Sequence, residues 1–138
     1  MSSIYRQSSH GNNISVILLE RSGLLRKFTW DEKKYKYLEN ELKGLKWYNQ
    51  KINNKLNTNK INLFHSFMSL DISLYKGKSI FYRSKLTNTE FYIHKIIDHY
   101  IDIMNDRSNP IIHGDLTLSN IIFFKNVPRI IDWEHFHK

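Results

Sequence analysis

The sequence predicts an α+β fold: a five-stranded antiparallel sheet with one helix, then a second helix and a strand hairpin. Three observations carry that expectation. Short apolar segments bounded by turn residues recur through the first 30 residues and again over residues 61–85. Between them, residues 31–51 repeat apolar side chains every three or four positions. Near the end, two apolar runs at 121–124 and 129–131 are joined by Lys125-Asn126-Val127-Pro128, a connection of turn residues, and polar side chains stand beside them.

In chain order, residues 4–7 and 15–20 read as two strands joined by Ser8-Ser9-His10-Gly11-Asn12-Asn13, a run that permits a tight turn. Gly11 is the one glycine there; as a phosphate cradle the signal is weak taken alone, and an ordinary hairpin turn explains it equally well. Ser22-Gly23 leads into a third strand, residues 24–30, whose alternation sets Leu25, Lys27 and Thr29 on one face and Arg26 on the other. A buried lysine at that position needs an anionic partner, and a solvated edge is the alternative.

The helix over 31–51 carries its stripe on Tyr35, Leu38, Leu42, Leu45 and Tyr48, with Asp31 as N-cap and Glu32 in the first turn. Glu39 and Glu41 stand about 200° apart around it, and the stripe alone does not choose between them. Residues 53–60 form a polar connector. Two further strands, 61–70 and 79–85, turn at Lys76-Gly77-Lys78 and complete the sheet. Leu86-Thr87-Asn88 then reads as a hinge, with Thr87 or Asn88 capping a helix over 89–104. The stripe of that helix is Phe91, Ile93 or His94, Ile97, Tyr100, Ile101 and Met104, and residues 105–110 end it. His94 and His99, five apart on this helix, read as core or surface residues rather than joint metal ligands.

The chemistry concentrates in residues 111–134, where His113, Asp115, Asn120 and Asp132 interrupt runs that would otherwise be plain buried strand. An Asp at the start of a short loop can accept the proton of an attacking hydroxyl, and an Asn five positions later can offer its carbonyl oxygen to a magnesium ion. The hairpin returns Asp132 to the end where Asn120 sits. Two such oxygen ligands make half of a magnesium site, which nucleotide phosphates and water complete. This is the layout of a kinase catalytic loop with its metal aspartate, so phosphoryl transfer is the expected chemistry. Glu134, His135 and His137 lack the further ligands that a zinc site requires.

The run His113-Gly114-Asp115-Leu116-Thr117-Leu118-Ser119-Asn120, followed by Ile130-Ile131-Asp132-Trp133-Glu134, resembles the signature of the aminoglycoside phosphotransferase and choline kinase family, small-molecule kinases with a protein-kinase-like fold. The resemblance implies ATP and Mg2+ as cofactors, Asp115 as catalytic base, and Asn120 and Asp132 as metal ligands. It implies Lys27 as the third-strand lysine that contacts the nucleotide phosphates, with Arg26 its rival, and a helix glutamate as the lysine's partner, Glu41 preferred over Glu39. Gly11 falls in the phosphate-covering loop, and His113 ties the catalytic loop by a hydrogen bond. Gly114 stands where protein kinases usually place an Arg that pairs with a phosphorylated activation loop, which favours a small hydroxyl acceptor such as an aminoglycoside, a choline-like amino alcohol or a sugar.

On this resemblance residues 1–86 form the small, nucleotide-binding lobe and 87–138 a partial large lobe. Family members continue past the segment ending at Glu134 into several helices. A truncated or split kinase is therefore expected, with an oligomer or a partner chain covering its apolar faces, and a nucleotide-binding module without turnover is the alternative.

Composition narrows the remaining classes. With 138 residues, 41% hydrophobic and 14% aromatic, the chain suits one domain with a packed core. No cysteine is present, which removes disulfides, thiolate metal sites and a cysteine nucleophile. The N-terminus lacks an apolar signal core, and no run approaches the roughly 18 apolar residues of a membrane span, so a cytoplasmic location away from membranes is expected. The net charge of +8 invites a nucleic-acid reading, but the basic residues are scattered and form no Arg-rich tract or RNA-binding signature. A basic cleft would also suit ATP.

Overall fold

Period-two alternation in the first half of the chain builds one sheet and leaves the other half to build a second. The computed structural model describes residues 3–7, 14–19, 22–54, 60–75, 77–79, 88–105 and 111–137. Strands β1 (Ser3–Gln7), β2 (Ser15–Leu19), β3 (Leu24–Thr29), β4 (Lys60–Phe64) and β5 (Phe67–Ser73) form an antiparallel sheet in the order β1-β2-β3-β5-β4. In the central strand β3, Lys27 and Thr29 are buried. Arg26 faces the other way, opposite Asp71 on β5, and its guanidinium holds that carboxylate through two hydrogen bonds of 2.6 and 2.7 Å.

The sheet has five strands, but not the five that the sequence suggests. Residues 61–70, read as one strand, are two strands folded at His65-Ser66, where His65 adopts φ 51°. That turn carries no Gly, Asn or Asp, and histidine is among the few side chains that enter the left-handed region with some ease. The expected fifth strand at 79–85 is corrected accordingly: Lys78–Ser79 is a strand of the second sheet, and residues 80–87 lie outside the described residues. The hinge positions Leu86 and Thr87 lie outside them too, as does Gly11.

Helix α1 (Tyr35–Lys51) follows a 3-10 turn, Glu32–Lys34, whose N-cap Asp31 accepts a 3.0 Å hydrogen bond from the Lys33 N–H. Leu38, Leu45 and Tyr48 are wholly buried and share one core with Met68, Leu70 and Ile72 of the sheet and with Ile130, Trp133 and Phe136 of the C-terminal segment. One helix thus packs against both the five-stranded sheet and the segment that carries Asp132.

The second sheet is β6 (Lys78–Ser79), β7 (Ile121–Phe124) and β8 (Val127–Ile130), antiparallel in that order. The turn between β7 and β8 is two residues, Lys125 and Asn126, both with positive φ, rather than the four expected. Two positive-φ positions match the twist of the flanking strands, so β8 begins at Val127 and includes Pro128, which an edge strand tolerates. Helix α2 (Thr89–Ile103) starts at Asn88, which makes no side-chain capping bond. Its expected stripe is also corrected. Tyr92 and Ile96 pack on Ile121 and Phe123, Ile103 joins the main core and Met104 packs against it as expected, while Phe91, Ile93, Ile97, Tyr100 and Ile101 are exposed. Among the described residues no helix is long and apolar enough to cross a membrane.

Candidate active site

Lys27 cannot sit buried on β3 as a bare ammonium, and two carboxylates meet it. Its Nζ donates to Asp132 Oδ1 at 2.6 Å and lies 2.7 Å from Glu41 Oε2. These three residues come from β3, α1 and the segment after β8, and Glu41 is itself 1% exposed. Glu39 is exposed on the far side of the helix, and Arg26 is committed to Asp71. Burial works against the charge on Lys27, but Glu41 and Asp132 outweigh it and hold the ammonium well above the ordinary lysine range. Burial also acts against Asp132, whose carboxyl Lys27 nonetheless holds below its usual range. Glu41 goes the other way: burial, with the charges of Asp132 and Glu134 added, pushes it up to about 7 against the pull of Lys27.

Sequence reasoning weighs Glu134 only with His135 and His137 as a zinc site, sets that aside, and does not place it beside Asp132 and Glu41. Its carboxylate and those of Glu41 and Asp132 lie within 4.8 Å of one another, and burial pushes its carboxyl up. The available signal was its place two residues after Asp132. Asp132 itself adopts φ 66°, a left-handed conformation that Asp accepts more readily than most side chains.

The loop before β7 holds the other two residues. The 3-10 turn Leu118–Asn120 brings Asn120 back onto the start of the loop, where its Nδ2 donates to the Asp115 carbonyl at 2.8 Å and to Asp115 Oδ2 at 3.2 Å. The backbone carbonyl of Asn120 accepts from the Ile131 N–H at 2.9 Å, which ties the loop to the segment that carries Asp132. Asn120 is buried, whereas Asp115 is exposed.

His113 is the anchor beneath this loop. A backbone carbonyl only accepts, so the 3.0 Å contact to Ile131 O puts the proton on Nε2, and Nδ1 accepts the Asp115 N–H at 3.3 Å. The ring packs on Trp133 at 4.4 Å, and burial lowers its pKa. Gly114 has a local explanation. Its φ is 86°, and a Cβ there would stand 2.4 Å from the His135 Cβ and 2.6 Å from the His135 carbonyl oxygen, so the backbone alone demands glycine.

His113 sets up a test. A histidine held neutral stabilises the fold at pH values above its unfolded pKa of about 6.5, and the contribution fades as pH falls through its lower folded pKa. His113→Gln should therefore cost about 1–3 kcal/mol at pH 7.5, the scale of a lost buried hydrogen bond. Urea titrations at stepped pH should show the gap between parent and variant narrowing below pH 6.5, and a gap independent of pH would contradict this assignment.

No protein-family model matches the chain, and no curated protein matches it. Among solved structures 127 chains match. One, a crystal structure of monomeric WbdD, matches with a TM-score of 0.67 at 11% identity, over 99% of this chain and 37% of that one. The likeness is one of fold, and the chain spans little more than a third of that protein's length.

Proposed function

We propose that this chain is an ATP-dependent small-molecule phosphotransferase of the aminoglycoside phosphotransferase and choline kinase type, with a protein-kinase-like arrangement, acting on a hydroxyl of an aminoglycoside, a choline-like amino alcohol or a sugar. The observation that carries the reading is the buried Lys27 ammonium between Glu41 and Asp132, three residues from separate elements. A buried charge of this kind is costly to maintain as a structural feature, and a nucleotide's phosphates supply a reason for it.

The donor set suits a hard cation. Asn120 and Asp132 offer only oxygen, as magnesium prefers, and Glu134 and Glu41 add further carboxylates nearby. Asn120 commits its Nδ2 to Asp115, which turns its Oδ1 away from that residue. When bound with ATP, the ion would neutralise charge on the phosphates. Lys27, steadied by Glu41, would orient those phosphates. Asp115, exposed at the mouth of the loop, would take the proton of the acceptor hydroxyl.

A second reading, nucleotide binding without turnover, draws on the direct Lys27–Asp132 contact, which uses an oxygen that a magnesium ion would otherwise take. One experiment separates the two. ADP release from Mg-ATP is followed with aminoglycoside, amino-alcohol and sugar acceptors in turn. Acceptor-dependent ADP release is expected; saturable Mg-ATP binding with no release for any acceptor would favour the second reading.

A further inference from the structure

Glu41, Gly44 and Tyr48 lie on one face of α1, since seven residues bring a helix round to within about 20° of its starting direction. All three are buried, and all three meet the segment around Asp132. Glu41 shares Lys27 with Asp132. Gly44 lets the helix close on Trp133, because a Cβ there would stand 2.5 Å from the Trp133 Cβ. Tyr48 packs its ring on Trp133 at 5.1 Å and accepts the Ile130 N–H with its hydroxyl at 2.9 Å. That N–H belongs to β8, an edge strand, and the neighbouring Ile131 N–H points the other way to Asn120. The Tyr48 hydroxyl therefore satisfies the outward-facing N–H of the strand that leads into Asp132.

The same hydroxyl lies 2.6 Å from His99 Nε2 on α2. A tyrosine has one proton to give, and with the Ile130 N–H already donated to its oxygen, that proton is free for a His99 Nε2 that accepts. Burial lowers the pKa of His99, in keeping with a ring nitrogen that accepts. One buried hydroxyl thus joins the helix of Glu41, the strand before Asp132 and α2.

We propose that Tyr48 is a positioning residue, whose hydroxyl, shared between the Ile130 N–H and His99, sets Asp132 against Glu41 and so couples the geometry around Lys27 to the seating of α2. The nucleotide-affinity consequence rests on the proposed function, whereas the geometry around Lys27 does not.

Tyr48→Phe keeps the ring and removes the hydroxyl. The first readout is the rate at which an N-hydroxysuccinimide acetate reagent acylates Lys27, measured by peptide mass spectrometry against the exposed Lys46. Tyr48→Phe should raise it about fivefold or more, and His99→Leu, which removes only the α2 leg, should raise it less, on the scale of lost outer-shell hydrogen bonds. Ile72→Val, a core change outside the stripe, should leave it at the parental rate. The second readout is Mg-ATP affinity, which Tyr48→Phe should weaken about tenfold. If Tyr48→Phe does not fold, His99→Leu decides the matter. Parental Lys27 reactivity in the folded variants, or an equal rise in Ile72→Val, would overturn the proposal. A parent that fails to bind Mg-ATP would remove the functional reading, with Lys27 reactivity still deciding this one.

Discussion

Asp115→Asn is expected to lower phosphoryl transfer by about 10²- to 10⁴-fold, the span of general-base catalysis, while Mg-ATP affinity stays near the parental value. The substitution is mild in structural terms. Asn120 Nδ2 bonds both the Asp115 carbonyl and its Oδ2, and an asparagine at 115 can still accept through its side-chain oxygen. The exposed position also spares the core. Under the proposed function, what the variant loses is the ability to take up a proton from the acceptor. Steady-state turnover and equilibrium binding measured on the same preparation check this. Joint loss of binding and turnover would make Asp115 a structural carboxylate.

The largest effect on stability should come from Trp133→Ala, about 3–5 kcal/mol, which combines lost burial with a cavity. Trp133 is 1% exposed, its ring stacks among Trp47, Tyr48, His113 and Phe136, and its Nε1–H donates to Ile130 O at 3.2 Å. It is the side chain on which His113 and α1 both rest. Urea denaturation followed by circular dichroism would report the loss, and a change below about 1 kcal/mol would mean that neighbouring rings refill the space.

Some of this architecture was readable before any coordinates. Alternation alone put Lys27 and Thr29 on the inner face of β3, because the side chains of a strand must take opposite faces in turn. Asp31 as a cap and the extent of α1 followed from local chemistry in the same way. The preference for Glu41 over Glu39 came from the resemblance and not from the helix stripe, and the structure sets Glu41 against Lys27 with Glu39 exposed. The break between β4 and β5 was hidden because His65-Ser66 has no Gly, Pro, Asn or Asp, and a lone Ser in an apolar run is a weak turn signal. On α2 most of the expected stripe lies on the wrong face: Tyr92, Ile96, His99, Ile103 and Met104 make its inward contacts, and Tyr92 and His99 carry polar groups that a stripe drawn on the most apolar side chains passes over. Glu134, weighed only as part of a zinc site, was not grouped with Asp132 because the three carboxylates meet only when α1 brings Glu41 alongside.

The central claim is that Lys27, Glu41 and Asp132 are held together to receive a nucleotide with its magnesium ion. Titration of ATP in the presence and absence of Mg2+, on the parent and on Asp132→Ala, tests it most directly. The account predicts magnesium-dependent binding in the parent and a loss of at least about tenfold in the variant, the worth of one charge-assisted contact. Equal Mg-ATP affinity in the two proteins, with the variant folded, would contradict it.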